Sequence, residues 1–143
     1  MPRLQTAIFG SLYYEDDAVL HFPAGLPGFE NHRRFVLVEQ PALRPLVHLQ
    51  SLESAELYFL ALPVQTIDPG YQPALTPEDG EVLGNPASPL LLALLAVGDD
   101  GQITANLMAP VCVNLATRIA VQAVRADRRY SHQHQLGEVA VCS

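Results

Sequence analysis

The sequence predicts a mostly β chain, a barrel or a sandwich, with one short helix. Three observations carry that prediction. Twelve prolines and nine glycines punctuate the 143 residues at short intervals. The apolar segments between them run about four to eight residues, the length of a strand rather than a helix. Apolar types make up 49% of the sequence and charged types 16%, the balance of a packed globule and not of a disordered chain. Many short strands at even spacing suit a barrel or a sandwich.

The elements follow in order. Candidate strands cover residues 6–13, 19–22, 35–38 and 46–51, each bounded by turn-forming or charged residues. A strand over 57–62 pairs back on 46–51 through the polar Glu53-Ser54-Ala55-Glu56 turn, giving a hairpin with an acidic tip. The stretch 63–89 is Pro-rich and reads as a surface excursion within one domain. Inside it, residues 77–83 form the one helix candidate. Thr76 is its N-cap, Pro77 suits the first helical position, Glu78 and Asp79 complement the positive end of the dipole, and Gly84 ends it.

Residues 90–97 have helix-favouring Leu and Ala, but Pro89 before them and Gly98-Asp99-Asp100-Gly101 after them favour a bounded strand. The expectation is a buried strand in a hairpin with 102–106, followed by strands 111–114 and 119–124. Residues 126–143 are polar and His-rich as far as Val139-Ala140-Val141, a tail suited to fraying or to a short edge strand. Residues 1–143 are expected to form a single domain, one large enough to build its own core without staples.

Charge excludes several function classes. Fifteen acidic residues face eight basic ones, for a net charge of −7. All the basic residues are Arg; Lys is absent, which excludes Schiff-base lysine chemistry and a P-loop lysine. Scattered arginines make no phosphate-gripping stripe, so direct nucleic-acid binding is not expected. The cluster Arg125, Arg128, Arg129, interrupted by Asp127, reads as solvated surface. An acidic globule is repelled by anionic membranes and steered toward basic partners. No apolar leader run is seen near the start, and Leu90 to Val97 is far shorter than the roughly 20 residues of a spanning helix. With two cysteines, Cys112 and Cys142, a disulfide framework is not expected, and the features favour a cytoplasmic protein.

Catalytic patterns are weak. There is no Gly-x-Ser-x-Gly elbow and no Gly-x-Gly-x-x-Gly loop. Cys112, between Val111 and Val113, reads as an inert small hydrophobe. His132 and His134 share a strand face if that segment is extended, and Cys142 is the nearest third ligand, but the set lacks metal-pair spacing and no metal is assigned. His21 and His48 are expected to be satisfied by hydrogen bonds or solvent. The carboxylate groups Glu15-Asp16-Asp17, Glu78-Asp79-Glu81 and Asp99-Asp100 fall at turns and a helix start, where solvation is the simpler reading. No cofactor is expected.

Three uncommon segments remain. In His21-Phe22-Pro23-Ala24-Gly25-Leu26-Pro27-Gly28-Phe29-Glu30, Pro27-Gly28 suits the centre of a type II turn, with the rings of Phe22 and Phe29 folded back onto the core. The second is Leu49-Gln50-Ser51-Leu52 with Leu57-Tyr58-Phe59. The third is Thr104-Ala105-Asn106-Leu107-Met108-Ala109-Pro110-Val111-Cys112-Val113-Asn114, with Gln122 following; Asn106 and Asn114 are placed to bond local backbone.

In the order and spacing of these segments, across residues 6–136, the sequence resembles the FliW family of flagellar assembly factors. The matching positions are Gly25, Leu26, Pro27, Gly28, Phe29, Gln50, Ser51, Asn106, Ala109, Pro110 and Asn114. The resemblance implies a small β-barrel-like fold and a non-enzymatic cytoplasmic protein. It further implies binding to flagellin and, when flagellin is scarce, to the RNA-binding regulator CsrA, which relieves CsrA's repression of flagellin mRNA translation by an allosteric route. Exposed acids near the hairpin tip and helix, Glu53, Glu56, Glu78, Asp79 and Glu81, are the candidate contact residues. Two other readings stay open: a flagellin-only chaperone, and a small-ligand-binding or hydrolytic β-barrel.

Overall fold

The computed structural model describes residues 2–6 and 8–138. These residues form eleven strands and one α-helix: β1 Arg3–Thr6, β2 Gly10–Tyr13, β3 Leu20–His21, β4 Arg34–Glu39, β5 Val47–Ser51, β6 Tyr58–Pro63, α1 Pro77–Leu83, β7 Leu90–Val97, β8 Gln102–Ala105, β9 Val111–Asn114, β10 Ile119–Gln122 and β11 His134–Glu138. Seven of them close into a barrel in the order β7-β6-β5-β4-β3-β10-β9, with β9 returning to β7. All its pairings are antiparallel except the parallel contact of β3 with β10 at His21 and Ile119. β8 and β11 extend the sheet beyond the seam, with β11 as the edge.

Side-chain alternation sorts the core into layers. Along β7, Leu90, Leu92 and Leu94 point into the barrel with Phe22, Phe35, Leu49, Val111 and Val113. Leu91, Ala93 and Leu95 point outward and meet Val64, Tyr71 and Leu83 of the Pro-rich stretch and Cys112 of β9. That stretch is therefore more than a surface excursion: it seals the outer wall of the barrel. On the opposite wall Val36 and Val38 of β4 pack under Leu4 and Leu12 of the β1–β2 hairpin.

Thr76 Oγ1 accepts the Asp79 amide at 3.1 Å and Gly84 closes the helix in the left-handed region, as its flanking residues predict. The expected single strand over 6–13 is instead the hairpin β1–β2. Its turn forms because Thr6 Oγ1 accepts the Phe9 amide at 2.8 Å and donates to the Gly10 carbonyl at 3.0 Å, so a side chain outcompetes continued pairing. The strand expected over 19–22 is reduced to β3, and that over 119–124 ends at Gln122. Within the tail, β11 pairs with β8 as an edge strand; Val139-Ala140-Val141 and Cys142 lie outside the described residues.

Two further expectations are corrected. Arg125 is not solvated: its guanidinium is buried between the rings of Tyr71 and Tyr130, 5.0 and 4.9 Å from their centroids, and paired with Asp127. His48 is not satisfied: its Nδ1 is buried without a hydrogen-bond partner among the described residues, with Phe9 edge-on at 5.0 Å and Tyr58 at 5.7 Å.

Candidate functional site

The segment from Phe22 to Glu30 crosses the end of the barrel where β4 and β6 begin and β7 and β10 finish. Phe22 is buried as its anchor and meets Phe35 edge-on at 5.1 Å. Pro27 and Gly28 make the expected turn, with the Phe29 amide donating to the Leu26 carbonyl at 2.7 Å and Gly28 at φ +84°. Gly25 sits at φ +68° with its α-carbon against Glu30; a Cβ there would lie 2.6 Å from Glu30 Cα. This turn leaves Leu26 buried and turns Phe29 out. Contrary to expectation, the Phe29 ring does not fold into the core but stays 38% exposed, edge-on to Phe59 at 5.3 Å.

Two confluent grooves open beside this loop. One, of about 500 Å³, runs between Pro23, Ala24 and Pro27 of the loop, Asp79 and Val82 of α1, and Val121 of β10. The second, of about 390 Å³, continues past Pro27 and Gln122 to Phe29, Phe59, Leu94, Asn106, Ala109 and Val124. The walls are apolar, and Phe29, Val82 and Val124 are large hydrophobic side chains left exposed on them. The ionisable side chains that line them are acids, Glu30 and Asp79.

Two side-chain amides anchor the floor. Asn106 Oδ1 accepts the Ala109 amide at 2.9 Å, the local backbone bond its position predicts. Gln122 Nε2 donates to the Ala109 carbonyl at 3.0 Å, so β10 holds the bend before Pro110 from the other side. These bonds leave Asn106 Nδ2 and Gln122 Oε1 as the amide ends not engaged by Ala109.

Other motif residues have internal tasks. Gln50 is fully buried and its Nε2 reaches the carbonyls of Ser51, Ser54 and Leu57 at 3.0 to 3.2 Å, shaping the β5–β6 hairpin. Ser51 Oγ accepts the amides of Glu53 and Ser54 and lies 2.9 Å from His32 Nδ1. Asn114 Oδ1 accepts the Ala116 amide at 3.0 Å while its Nδ2 donates to the Leu83 carbonyl at 2.9 Å, tying α1 to the barrel. Pro110 is buried behind the groove floor.

The candidate contact acids do not converge. Glu53 is occupied by Arg34, Nε to Oε1 at 3.3 Å, on the hairpin tip with exposed Glu56. Glu78 and Glu81 are exposed on α1, and Asp79 alone of the five borders the groove. Glu30, Phe59, Val82, Leu94 and Val124 were not singled out from the sequence as contact residues. Val82 carried a signal: an apolar residue on the solvent side of an otherwise acidic helix turn. His132 is exposed in a turn, whereas His134 opens β11 opposite Ala105, so the two do not share a strand face. Burial pushes the Cys112 thiol up to about 12, with the nearby Asp79 carboxylate adding to the shift, which suits an inert packing residue.

Fold and site together define a small closed β-barrel with an open apolar groove bordered by residues of all three sequence motifs. The sequence model of the FliW protein family matches residues 3–136. The flagellar assembly factor FliW of Azoarcus sp. (strain BH72) is 34% identical over 131 residues, covering 85% of this chain and 90% of that protein. That of Moorella thermoacetica is 31% identical over 138 residues, covering 94% and 87%. A crystal structure of the flagellar assembly factor FliW superposes with a TM-score of 0.84 at 26% identity, covering 94% of this chain and 96% of that one. This chain belongs to the FliW family of flagellar assembly factors. Among the described residues no helix is long and apolar enough to cross a membrane.

Proposed function

We propose that this chain is a non-enzymatic cytoplasmic partner switch that binds flagellin and, when flagellin is scarce, binds CsrA and relieves its repression of flagellin mRNA translation. One observation carries the reading: residues of three motifs far apart in sequence fold onto the same exposed apolar groove. An apolar patch rimmed by polar groups is a protein-docking feature. The net charge of −7 supports a basic partner, so the chain controls an RNA one step removed, through the protein that holds it. Of the five candidate acids, Asp79 is the one placed to meet a partner in the groove; Glu56, Glu78 and Glu81 supply charge around it, and Glu53 contributes least because Arg34 already holds it.

Calorimetric titration of the purified chain with flagellin and with CsrA tests this reading, followed by flagellin added to a preformed CsrA complex. Binding of each and displacement of CsrA by flagellin are expected, with CsrA association slowing as salt rises. Binding to neither protein would overturn the proposal, and binding to flagellin alone would reduce it to a chaperone without a regulatory arm.

A further inference from the structure

The two grooves carry the chemistry of their occupant. The Asn106 Oδ1 and Gln122 Nε2 atoms are both spent on Ala109, so the opposite ends, Asn106 Nδ2 and Gln122 Oε1, form no hydrogen bond among the described residues. Both side chains line the groove. A donor and an acceptor on side chains that both line one apolar groove, each anchored on Ala109, match the carbonyl and N–H of an extended chain. Phe29, Phe59, Leu94 and Val124 surround them with apolar surface. At the other end of the trough Glu30 and Asp79 have no ion-pair partner among the described residues, whereas Glu39, Glu53 and Asp127 each have an Arg.

We propose that the trough binds an extended segment of a partner protein in which a bulky apolar side chain and an Arg or Lys stand two residues apart, so that both face the trough. The segment's backbone bonds Asn106 Nδ2 and Gln122 Oε1, its apolar side chain seats against Phe29 and Val124, and its cation lies toward Glu30 and Asp79. The proposal names the chemistry of the partner on the motif-lined face and rests on the preceding section only in treating that face as the docking face.

The test titrates the isotope-labelled full chain with a blocked hexapeptide carrying leucine and arginine two residues apart, and follows amide resonances. Saturable shifts at Ala24, Val82 and Val121, together with a shift of the Asn106 side-chain amide protons, are expected. Replacing the peptide's arginine by glutamate should abolish them. Val124→Asp should weaken binding about tenfold by losing apolar contact, and Asp79→Asn by a smaller factor, with thermal midpoints close to that of the unaltered chain. Absence of saturable shifts, shifts confined to another face, or equal response to the glutamate peptide would overturn the inference. Flagellin and CsrA are titrated with the same variants. If they bind the unaltered chain and Val124→Asp alike, the trough is not the docking site and the broader reading survives. If the peptide binds but neither protein does, the trough stands and the broader reading falls.

Discussion

Arg125 and Asp127 form a two-pronged ion pair across a single intervening residue, with Nε 2.7 Å from Oδ1 and a terminal guanidinium nitrogen 2.8 Å from Oδ2. The Arg125 side chain is only 3% exposed because the rings of Tyr71 and Tyr130 enclose it, and it also donates to the Gln72 carbonyl. Tyr71 in turn donates to the Leu107 carbonyl at 2.7 Å and Tyr130 to Asp68 Oδ2 at 2.8 Å. The guanidinium thus pins the segment that follows the single 3-10 turn Val64–Thr66 to the chain leaving β10.

Arg125→Met should therefore destabilise the fold by about 2 kcal/mol, the scale of a desolvated cation over aromatic faces. Arg125→Lys keeps the charge but loses the planar fork, and should recover less than half of that loss. Urea unfolding monitored by tyrosine fluorescence reads both. Full recovery by lysine would show that charge alone, and not the stacked fork, holds the latch.

Gly25 and Gly28 separate two reasons for glycine in one loop. Both have positive φ, but a Cβ at Gly28 meets nothing within 4 Å while one at Gly25 meets Glu30 Cα at 2.6 Å. Gly28→Ala should cost about 1 kcal/mol for the left-handed backbone alone. Gly25→Ala adds a backbone clash and should cost about 3 kcal/mol. Equal costs in denaturant unfolding would mean that the loop moves freely away from Glu30.

What the sequence made legible follows the range of the forces involved. α1 and β7 have their signals within or beside them: Thr76, Pro77 and Gly84 for the helix, Pro89 and Gly98 for the strand. Closure of the barrel rests on β7 pairing with β9, residues such as Leu91 and Cys112 brought opposite one another, and no local pattern specifies that pairing. The burial of Arg125 is invisible locally for the same reason, since Tyr71 is supplied by a distant segment. The motif residues stood out individually, yet Asn106 and Pro27 border one groove only because the Phe22 anchor draws its loop across the barrel end. Residue type alone assigns Phe29 to the core, whereas the tight turn at Gly28 directs it outward.

Cys112 gives a direct probe of barrel opening. It is fully buried, and burial first, then the Asp79 carboxylate, raises its thiol to about 12. At mildly alkaline pH the folded chain should present almost no Cys112 thiolate, so a thiol reagent reacts only when the outer wall opens. In a Cys142→Ser background, which isolates this thiol, labelling should be slow and should accelerate in step with urea-induced unfolding. Rapid labelling of the folded chain would place the thiol at the surface and contradict the packing of β9 under the Pro-rich stretch.

His48 predicts how stability responds to acid. Burial lowers its pKa from the usual 6.5, and Phe9 and Tyr58 offer its buried Nδ1 no hydrogen bond. The folded state therefore holds the neutral ring, whereas the unfolded chain takes up a proton as pH falls through 6.5. Because the unfolded state then binds more protons, the stability contributed by the neutral ring is complete above 6.5 and declines as pH drops toward the lowered folded value. His48→Leu fills the site with an apolar side chain of similar volume and no titration. Denaturation midpoints of the two proteins, compared from pH 7.5 down to roughly pH 5, should diverge, with the variant losing less stability over that interval than the unaltered chain. Parallel pH profiles would show that His48 titrates alike in both states and that the β1–β2 hairpin does not seal it from water.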